Sequence, residues 1–435
     1  MRIYSPAVRM TKVLQAGLTI ACAVALVVVV AGCAVKMPGV TEAPGQTVAP
    51  TSTAVPSPPT PTESPVTTAP MRVVKIGVLN PTTGALAAFG EWVNSGIELY
   101  FDSIDYAVEG ASIELVFADT AGDPQQGLEQ ARRLVEQEGV DLLMGTVNSA
   151  VVVPLAQFAG EAEVPFIITV GGATAATGPD SSPFVFRTGM ANGQQDRPLG
   201  WYTASELGLT RGALFVWDFL VGEERGGAFA SGFTEAGGTI VTEQRPPLGT
   251  PDYGPYISQL DPTNTDVVYA FFAGPGAIAF VQQMSEFGLL PDLQLVGCDY
   301  LTVGVLQAMG DPAEGIVQGM QYAPVLDNPE NQAFLALYEA EIGGEPNIYV
   351  EEGFLGGLVV ATAIEAVGGD LSDMQRFLDA LATLEVNGPS GPLRFDEHGQ
   401  SIRNVYITRV VRANDGSLTY EVLDVIEGVS QGWTP

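Results

Sequence analysis

The chain contains few residues of the types that carry enzyme chemistry or bind nucleic acid. Its 435 residues include one histidine, three cysteines and three lysines, and 18 basic residues stand against 50 acidic ones. The formal charge of −32 at pH 7 argues against a nucleic-acid partner, since a phosphate backbone is bound through clustered basic side chains. We therefore expect no nucleic acid among the partners of this protein.

The scarcity of histidine and cysteine also limits the possible catalytic sites. The single histidine, His398, follows Phe395-Asp396-Glu397 and precedes a glycine, a pattern typical of a surface turn between strands. One histidine and one cysteine in the globular part exclude the common zinc sites and Cys–His catalysis. A G-x-S-x-G motif at 428–432 ends three residues before the last residue, which leaves no room for the helix that follows a nucleophile elbow. Paired carboxylate catalysis stays open in so acidic a chain, but no positive signal supports it. We predict a non-enzyme without cofactor or metal.

The N-terminal segment has the pattern of an export signal. Three basic residues precede an apolar run from 13 to 31, which ends in Val30-Ala31-Gly32-Cys33. This pattern predicts a lipoprotein signal peptide over 1–32 and lipidation of Cys33. A retained transmembrane anchor is the alternative, because the run approaches the roughly 20 residues that span a bilayer. We favour the lipoprotein, which predicts an extracytoplasmic protein anchored to the cell membrane by its lipid.

A tether is predicted next, over residues 33–70. Residues 34–70 include 9 Pro, 8 Thr and 3 Ser, a composition that cannot bury enough apolar surface to order itself. A proline-stiffened segment of this kind would hold a globular body away from the membrane surface.

From residue 73 onward, short apolar runs alternate with segments of helical periodicity. Strands are expected at 73–79, 113–118, 141–144 and 166–169, with helices between them, and Asp123-Pro124 has the cap-and-proline pattern of a helix start. The alternation begins again after residue 193, with strands at 213–217, 239–244, 267–272 and 293–296. This order predicts an α/β protein of two lobes, each a parallel sheet flanked by helices, with a cleft between them.

One loop in the first half has almost no side chains. In 168-ITVGGATAATG-178, glycine and alanine fill the connection after an apolar run. Neither G-x-G-x-x-G nor a P-loop motif fits it, so a phosphate site is not indicated. The remaining interpretations are a site for a smaller anion, such as a carboxylate, and a tight strand-to-helix connection.

Four stretches of the chain carry a family resemblance. They are 75-KIGVLNPTTGALAAFGEWVNSGIEL-99, 118-ADTAGDPQQGLEQARRLVEQEGVDLLMG-145, 165-PFIITVGGATAATG-178 with 183-PFVFRT-188, and 388-GPSGPLRFDEHG-399. In their order and spacing they resemble the leucine/isoleucine/valine-binding branch of the periplasmic solute-binding proteins of ABC transporters. The resemblance implies the two-lobed type I fold with a hinge, a small-molecule solute, ABC permease membrane subunits as partners, and a monomer. It places the first lobe at 71–192 plus 323–391 and the second at 193–322 plus 392–435.

The resemblance also implies a site for the carboxylate of a solute. The matching positions are a serine after the strand that ends in glycine and the bare loop after the next strand, which assigns ligand contacts to Asn148, Ser149, Gly171, Gly172, Ala173 and Thr174. On this interpretation the loop is bare so that its backbone can touch the ligand.

Other implied site residues lie in both lobes. Asp299 matches the acid that holds the amino group in amino-acid binders, and a helix N-cap is its alternative role. Aromatic positions that wall the cleft in relatives match Phe89, Phe219 and Tyr349, and a cleft tyrosine of relatives falls near Ala273, where this sequence departs from the pattern. Tyr300, adjacent to Asp299, could cover a ring or an aliphatic chain of the solute, although core packing explains any one of these aromatic residues equally well. The expected solute is a branched-chain or other amino acid. Aromatic acids, amides or urea are the alternative solutes, and a ligand-sensing or enzymatic domain on the same fold is the alternative function.

Overall fold

The computed structural model describes residues 71–435. The predicted signal peptide, the lipidated Cys33 and the tether lie outside the described residues. Within 71–435, no helix is both long and apolar enough to cross a membrane.

The first sheet has six strands in the order β2-β3-β1-β4-β5-β6. All neighbours are parallel except β2, which runs antiparallel to β3. The alternating residues Val74, Ile76 and Val78 of β1 are buried in the core. The strands are β1 (Arg72–Asn80), β2 (Ala107–Val108), β3 (Ala111–Asp119), β4 (Leu142–Gly145), β5 (Phe166–Ile168) and β6 (Val185–Arg187).

Three helices connect these strands: α1 (Ala87–Ser103), α2 (Pro124–Arg133, continued by a π-helical turn at Leu134–Glu138) and α3 (Ser149–Ala162). The predicted helix start at Asp123-Pro124 is confirmed, since Asp123 accepts a hydrogen bond from the Gln126 amide. Such caps satisfy amide groups of the first turn that have no partner inside the helix.

The second sheet has nine strands in the order β12-β13-β14-β11-β10-β9-β7-β8, with β15 paired to β14. Strands β7 to β11 pair with one another in parallel. Strands β12 to β15 form only antiparallel pairs, including the pair of β14 with β11. The strands are β7 (Arg211–Val216), β8 (Thr239–Gln244), β9 (Val267–Phe271), β10 (Gln294–Cys298), β11 (Val317–Met320), β12 (Glu385–Gly388), β13 (Gly391–Phe395), β14 (Ser401–Arg412) and β15 (Leu418–Val429).

The remaining helices follow in chain order: α4 (Asp196–Ser205), α5 (Leu220–Glu235), α6 (Gly254–Ile257), α7 (Gly274–Glu286), α8 (Leu306–Met309), α9 (Pro329–Glu341), α10 (Ile348–Ala366) and α11 (Met374–Ala382). Helix α4 was not predicted, because Pro198 and Gly200 interrupt the helical pattern. Pro198 is tolerated since first-turn amides have no intrahelical partner. Strand β11 was also missed because it is short and contains a glycine and a glutamine.

The chain passes between the sheets three times: after β6, after β11 and before β12. Two of these passages are hydrogen-bonded to each other, since the Met190 amide donates to Gln321 Oε1 at 3.1 Å. Helix α10 returns to the first sheet, where it packs against α1 and β5. Strand β12, which the expected boundaries place in the first lobe, pairs with β13 of the second sheet. The lobe boundaries themselves stay a prediction.

Candidate functional site

The bare loop packs closely against neighbouring residues and is hydrogen-bonded to them. A Cβ atom on Gly171 would lie 2.4 Å from Val152 Cγ2, and one on Gly172 would lie 2.3 Å from Asn192 Oδ1. The Gly171 amide donates to Thr146 O at 2.7 Å, and the Gly172 amide donates to Ser149 Oγ at 3.1 Å. Close packing therefore requires both glycines, whether or not a ligand touches them.

Asn148 and Ser149 form the start of α3. Asn148 is the N-cap, and its Oδ1 accepts from the Ala150 amide at 3.0 Å while its Nδ2 donates to Gly122 O at 2.7 Å. Ser149 is buried, and its Oγ accepts from the Gly172 amide and from Asn192 Nδ2, the latter at 3.3 Å. Ser149 thus links the helix N-terminus, which carries partial positive charge, to the bare loop.

The carboxylate of Glu224, on a helix that follows the second sheet's strand β7, contacts this loop. Glu224 lies on α5, and its Oε1 accepts from the Thr174 amide at 3.3 Å and from the Thr174 hydroxyl. Its Oε2 accepts from Asn192 Nδ2 at 2.7 Å. Of the residues that the sequence assigned to a solute carboxylate, Thr174 therefore donates to a carboxylate that the protein itself supplies, and Asn192, which the sequence analysis missed, is the other donor.

A buried guanidinium lies beneath the loop. Arg187 on β6 donates from Nη2 to Ala173 O at 2.5 Å and from Nη1 to Gln400 Oε1 at 2.9 Å. Burial lowers the pKa of Arg187 to about 9, and the negative charges of Glu224 and Asp396 oppose that shift. A buried positive charge held by neutral acceptors makes this end of the loop favourable for an anion.

Aromatic rings from both lobes meet at a second position. The ring centroid of Tyr349, on α10, lies 4.9 Å from that of Phe89 and 5.8 Å from those of Trp92 and Tyr300. The predicted residues Phe89, Tyr300 and Tyr349 are thus brought together. Trp92 was missed, although its spacing of three from Phe89 places both on one face of α1.

Phe219 and Ala273 precede helices of the second lobe. Phe219 is the N-cap residue of α5, and its ring stacks on Phe271 with centroids 6.2 Å apart. Ala273 occupies the N-cap position of α7. Neither residue has a polar side chain, so a side-chain role in binding would come from shape and apolar contact.

Asp299 is fully buried at the end of β10. Its Oδ1 accepts from Gln195 Nε2 at 2.7 Å and from the Tyr300 amide at 2.9 Å, and its Oδ2 accepts from the Gln321 amide at 3.3 Å. Burial raises the pKa of the Asp299 carboxyl to about 6, while the Arg225 guanidinium acts in the opposite direction. Protein donors thus already satisfy much of this carboxylate.

Arg225 is the cation that faces Asp299. Its guanidinium forms a buried ion pair with Asp196 at 2.8 Å and lies 4.8 Å from the ring centroid of Tyr300 and 5.3 Å from that of Phe271. The charge of this one guanidinium acts on two carboxylates, so the cluster carries a net charge of −1 when Asp196 and Asp299 are both ionised. Nothing in the sequence pattern distinguishes Arg225 from the other arginines.

The described residues also form a cavity and contain a free thiol. A cavity of about 500 Å³ is lined by residues 179–186 and 395–399 and by part of α11, and none of the predicted site residues contributes to it. Cys298 is a free, fully buried thiol whose pKa is raised well above its ordinary value by burial. Within 71–435, no group of three His, Cys, Asp or Glu side chains is placed to hold a metal ion.

Comparison with known proteins identifies the family. The profile described as "Periplasmic binding protein" matches residues 73–417. The chain therefore belongs to the periplasmic binding protein family, and the expected two-lobed α/β fold is confirmed.

Individual relatives place the chain among the substrate-binding proteins of ABC transporters. A solved ABC transporter substrate-binding protein from Sphaerobacter thermophilus is 33% identical, with a TM-score of 0.80, and the match covers 82% of this chain and 99% of that one. A solute-binding protein from R. palustris, solved in complex with benzoate, is 30% identical with a TM-score of 0.74 and coverage of 82% and 98%. A "Leu/Ile/Val-binding protein homolog 6" from Brucella melitensis is 30% identical over 365 residues, which are 82% of this chain and 92% of the relative.

Proposed function

We propose that this protein is the extracytoplasmic receptor of an ABC importer and that it captures a small solute bearing a carboxylate. The convergence of the Thr174 amide, the Thr174 hydroxyl and Asn192 Nδ2 on one carboxylate group carries this proposal. Neutral donors of this kind bind carboxylates with charge-assisted hydrogen bonds. The buried guanidinium of Arg187 adds a favourable potential at the same place.

Within this class we propose an aromatic carboxylate as the solute. Rings of Phe89, Trp92, Tyr300 and Tyr349 offer flat apolar surfaces of the kind on which a benzene ring packs. Asp299, the group expected to hold an ammonium, is already bound by three donors and faces Arg225. The R. palustris relative that was solved with benzoate supports the same choice.

A branched-chain amino acid is the second candidate. The net negative charge of the cluster formed by Asp196, Arg225 and Asp299 favours a positively charged group on the solute when Asp299 is ionised. The name of the Brucella relative points in the same direction. On this alternative the ammonium would have to take up one of the acceptor positions of Asp299.

Matched pairs of solutes distinguish the two candidates. Calorimetric titration of the purified protein with benzoate, benzamide, leucine and 4-methylpentanoate separates the effect of the carboxylate from that of the ammonium. We expect benzoate to bind at least tenfold more tightly than benzamide and more tightly than leucine. Leucine binding far more tightly than both benzoate and 4-methylpentanoate would establish the amino-acid alternative. Binding of none of the four, either by the wild type or after Glu224→Gln, would reject the proposed site.

The remaining expectations about cellular context are also proposals. We propose that the protein is exported, lipidated on Cys33, held at the membrane by the tether over 33–70 and monomeric, and that it delivers its solute to permease subunits. The Val30-Ala31-Gly32-Cys33 sequence and the Pro/Thr composition that follows it support this arrangement.

A further inference from the structure

Glu224 holds the donors that the proposed function assigns to the solute. The side chain projects from the first half of α5, in the second lobe, to the loop after β5, in the first. It is half-buried, and its described contacts are all with uncharged donors: the amide and hydroxyl of Thr174 and the side-chain amide of Asn192. Asn192 Nδ2 also reaches Ser149 Oγ at 3.3 Å, so Glu224 is linked through Asn192 to the predicted residue Ser149.

This set of partners is unusual for a glutamate that serves only to stabilise a surface. Some exposed glutamates in the described part of the chain pair with arginine, as Glu235 does with Arg197 at 2.7 Å, whereas the charge of Glu224 acts on the buried Arg187 without forming an ion pair with it. Glu223, the preceding residue on α5, is exposed to solvent. The position of Glu224 instead reproduces the contacts of a free carboxylate: two oxygens that accept from a backbone amide, a hydroxyl and a carboxamide.

We propose that Glu224 is a built-in competitor of the solute: its carboxylate occupies the solute-carboxylate position in the unliganded protein and is displaced when the solute binds. The proposal rests on the function proposed above. Two carboxylates cannot share the same three donors, because like charges a few ångströms apart repel strongly outside bulk water. Glu224 therefore sets the affinity for anionic solutes and discriminates against those too weak to displace it.

The expected effect follows from removing the competitor. In Glu224→Ala the donors of Thr174 and Asn192 are free for the solute, and a nearby negative charge is lost. We expect the Kd for benzoate to fall about three- to tenfold, where tenfold corresponds to about 1.4 kcal/mol. The Kd for uncharged benzamide should change less than twofold, because that solute does not repel Glu224.

The test is calorimetric titration of wild type, Glu224→Ala, Glu224→Gln and the neighbouring control Glu223→Gln with benzoate and benzamide. Glu224→Gln keeps the size of the side chain, so it covers the case in which the alanine variant folds poorly. Tighter benzoate binding in the Glu224 variants, with an unchanged control, supports the proposal. It is also supported if benzoate binds only after Glu224 is replaced.

Two results overturn the proposal, and they are distinguishable. If wild type binds benzoate and the Glu224 variants bind it equally or more weakly, Glu224 is not a competitor, although the proposed function stands. If neither wild type nor any variant binds benzoate or another carboxylate, the function proposed for this site fails and the displacement fails with it.

Discussion

The guanidinium carbon of Arg225 lies 4.8 Å from the centre of the Tyr300 ring, while Nη1 of the same side chain donates to Asp196 at 2.8 Å. One buried cation therefore forms an ion pair with a carboxylate and a cation–π contact with an aromatic ring. Tyr300 directly follows Asp299, so the same cation also acts on the acid that the sequence singled out.

Replacing Arg225 should be strongly destabilising. In Arg225→Met, Asp196 would be left buried without its ion partner, and removal of one member of a buried pair costs about 3–5 kcal/mol. Urea unfolding of the variant measures this loss. The matched control is Arg197→Met, whose partially exposed pair with Glu235 should contribute less than about 1 kcal/mol. Equal effects of the two substitutions would contradict the assigned role of Arg225.

Asp299→Asn distinguishes the two candidate solutes from the protein side. If the solute is an aromatic acid, we expect the Kd for benzoate to change less than about threefold, since Asp299 is held by Gln195 and two backbone amides. A tenfold or larger selective loss of leucine binding would support an amino-acid receptor instead. Parallel titrations of both solutes, with Asp261→Asn in an exposed turn as control, provide the comparison.

Ser149→Ala should weaken solute binding by about tenfold or more. The hydroxyl accepts from the Gly172 amide and from Asn192, and its loss leaves a buried amide unpaired, which costs about 1–3 kcal/mol. A bulky substitution at Gly172 should be worse, because its Cβ would lie 2.3 Å from Asn192 Oδ1. Ser103→Ala, at the exposed last residue of α1, is the control. Wild-type affinity in both site variants would mean that the solute binds elsewhere.

Glu352→Gln should make stability less sensitive to pH. Glu352 on α10 accepts from Arg403 Nη1 at 2.6 Å, and burial raises its pKa from 4.5 to about 8. A carboxyl with a raised folded-state pKa contributes stability that is complete below pH 4.5 and is lost as the pH rises through 8. The variant should therefore resemble wild type near pH 5 and be the more stable protein near pH 9. Urea unfolding at both pH values checks this, and a constant difference between the two proteins would contradict it.

Cys33→Ala should abolish lipidation and thereby change the processing of the signal peptide or the membrane retention of the protein. The substitution removes the residue that carries the predicted lipid, and the Pro/Thr segment after it has no apolar run of its own. Cell fractionation with an antibody against the globular part measures the outcome. Unchanged processing together with unchanged membrane retention would rule out the lipid anchor.

The strands and most helices were predictable because their signals are local. Strand β8 coincides with its predicted range, and the cap at Asp123 was read directly from an Asp-Pro pair. The start of α10 has no comparable signal, because its cap, Asn347, precedes an apolar stretch that has no clear helical periodicity. Local patterns thus determine the elements and leave their ends less certain.

The candidate site was predictable only in part, because its contacts connect distant segments. Ser149 and the bare loop were found from the order of strands, but Glu224 lies 50 residues from Thr174 and belongs to the other lobe. Which residue of α5 meets the loop depends on how the lobes close, and no periodicity encodes that. The pairing of Arg225 with Asp196, across two helices, escaped prediction for the same reason.

The alkylation rate of the Cys298 thiol would report how often the packing of the second lobe opens. The thiol is fully buried at the end of β10, directly before Asp299, and Cys298 is the single cysteine within 71–435. A reagent that alkylates thiols can reach Cys298 only when the surrounding packing separates. The rate of alkylation therefore depends on how often such openings occur. A solute that closes the lobes around Asp299 and Tyr300 would slow this reaction, which makes an unlabelled protein its own reporter of occupancy.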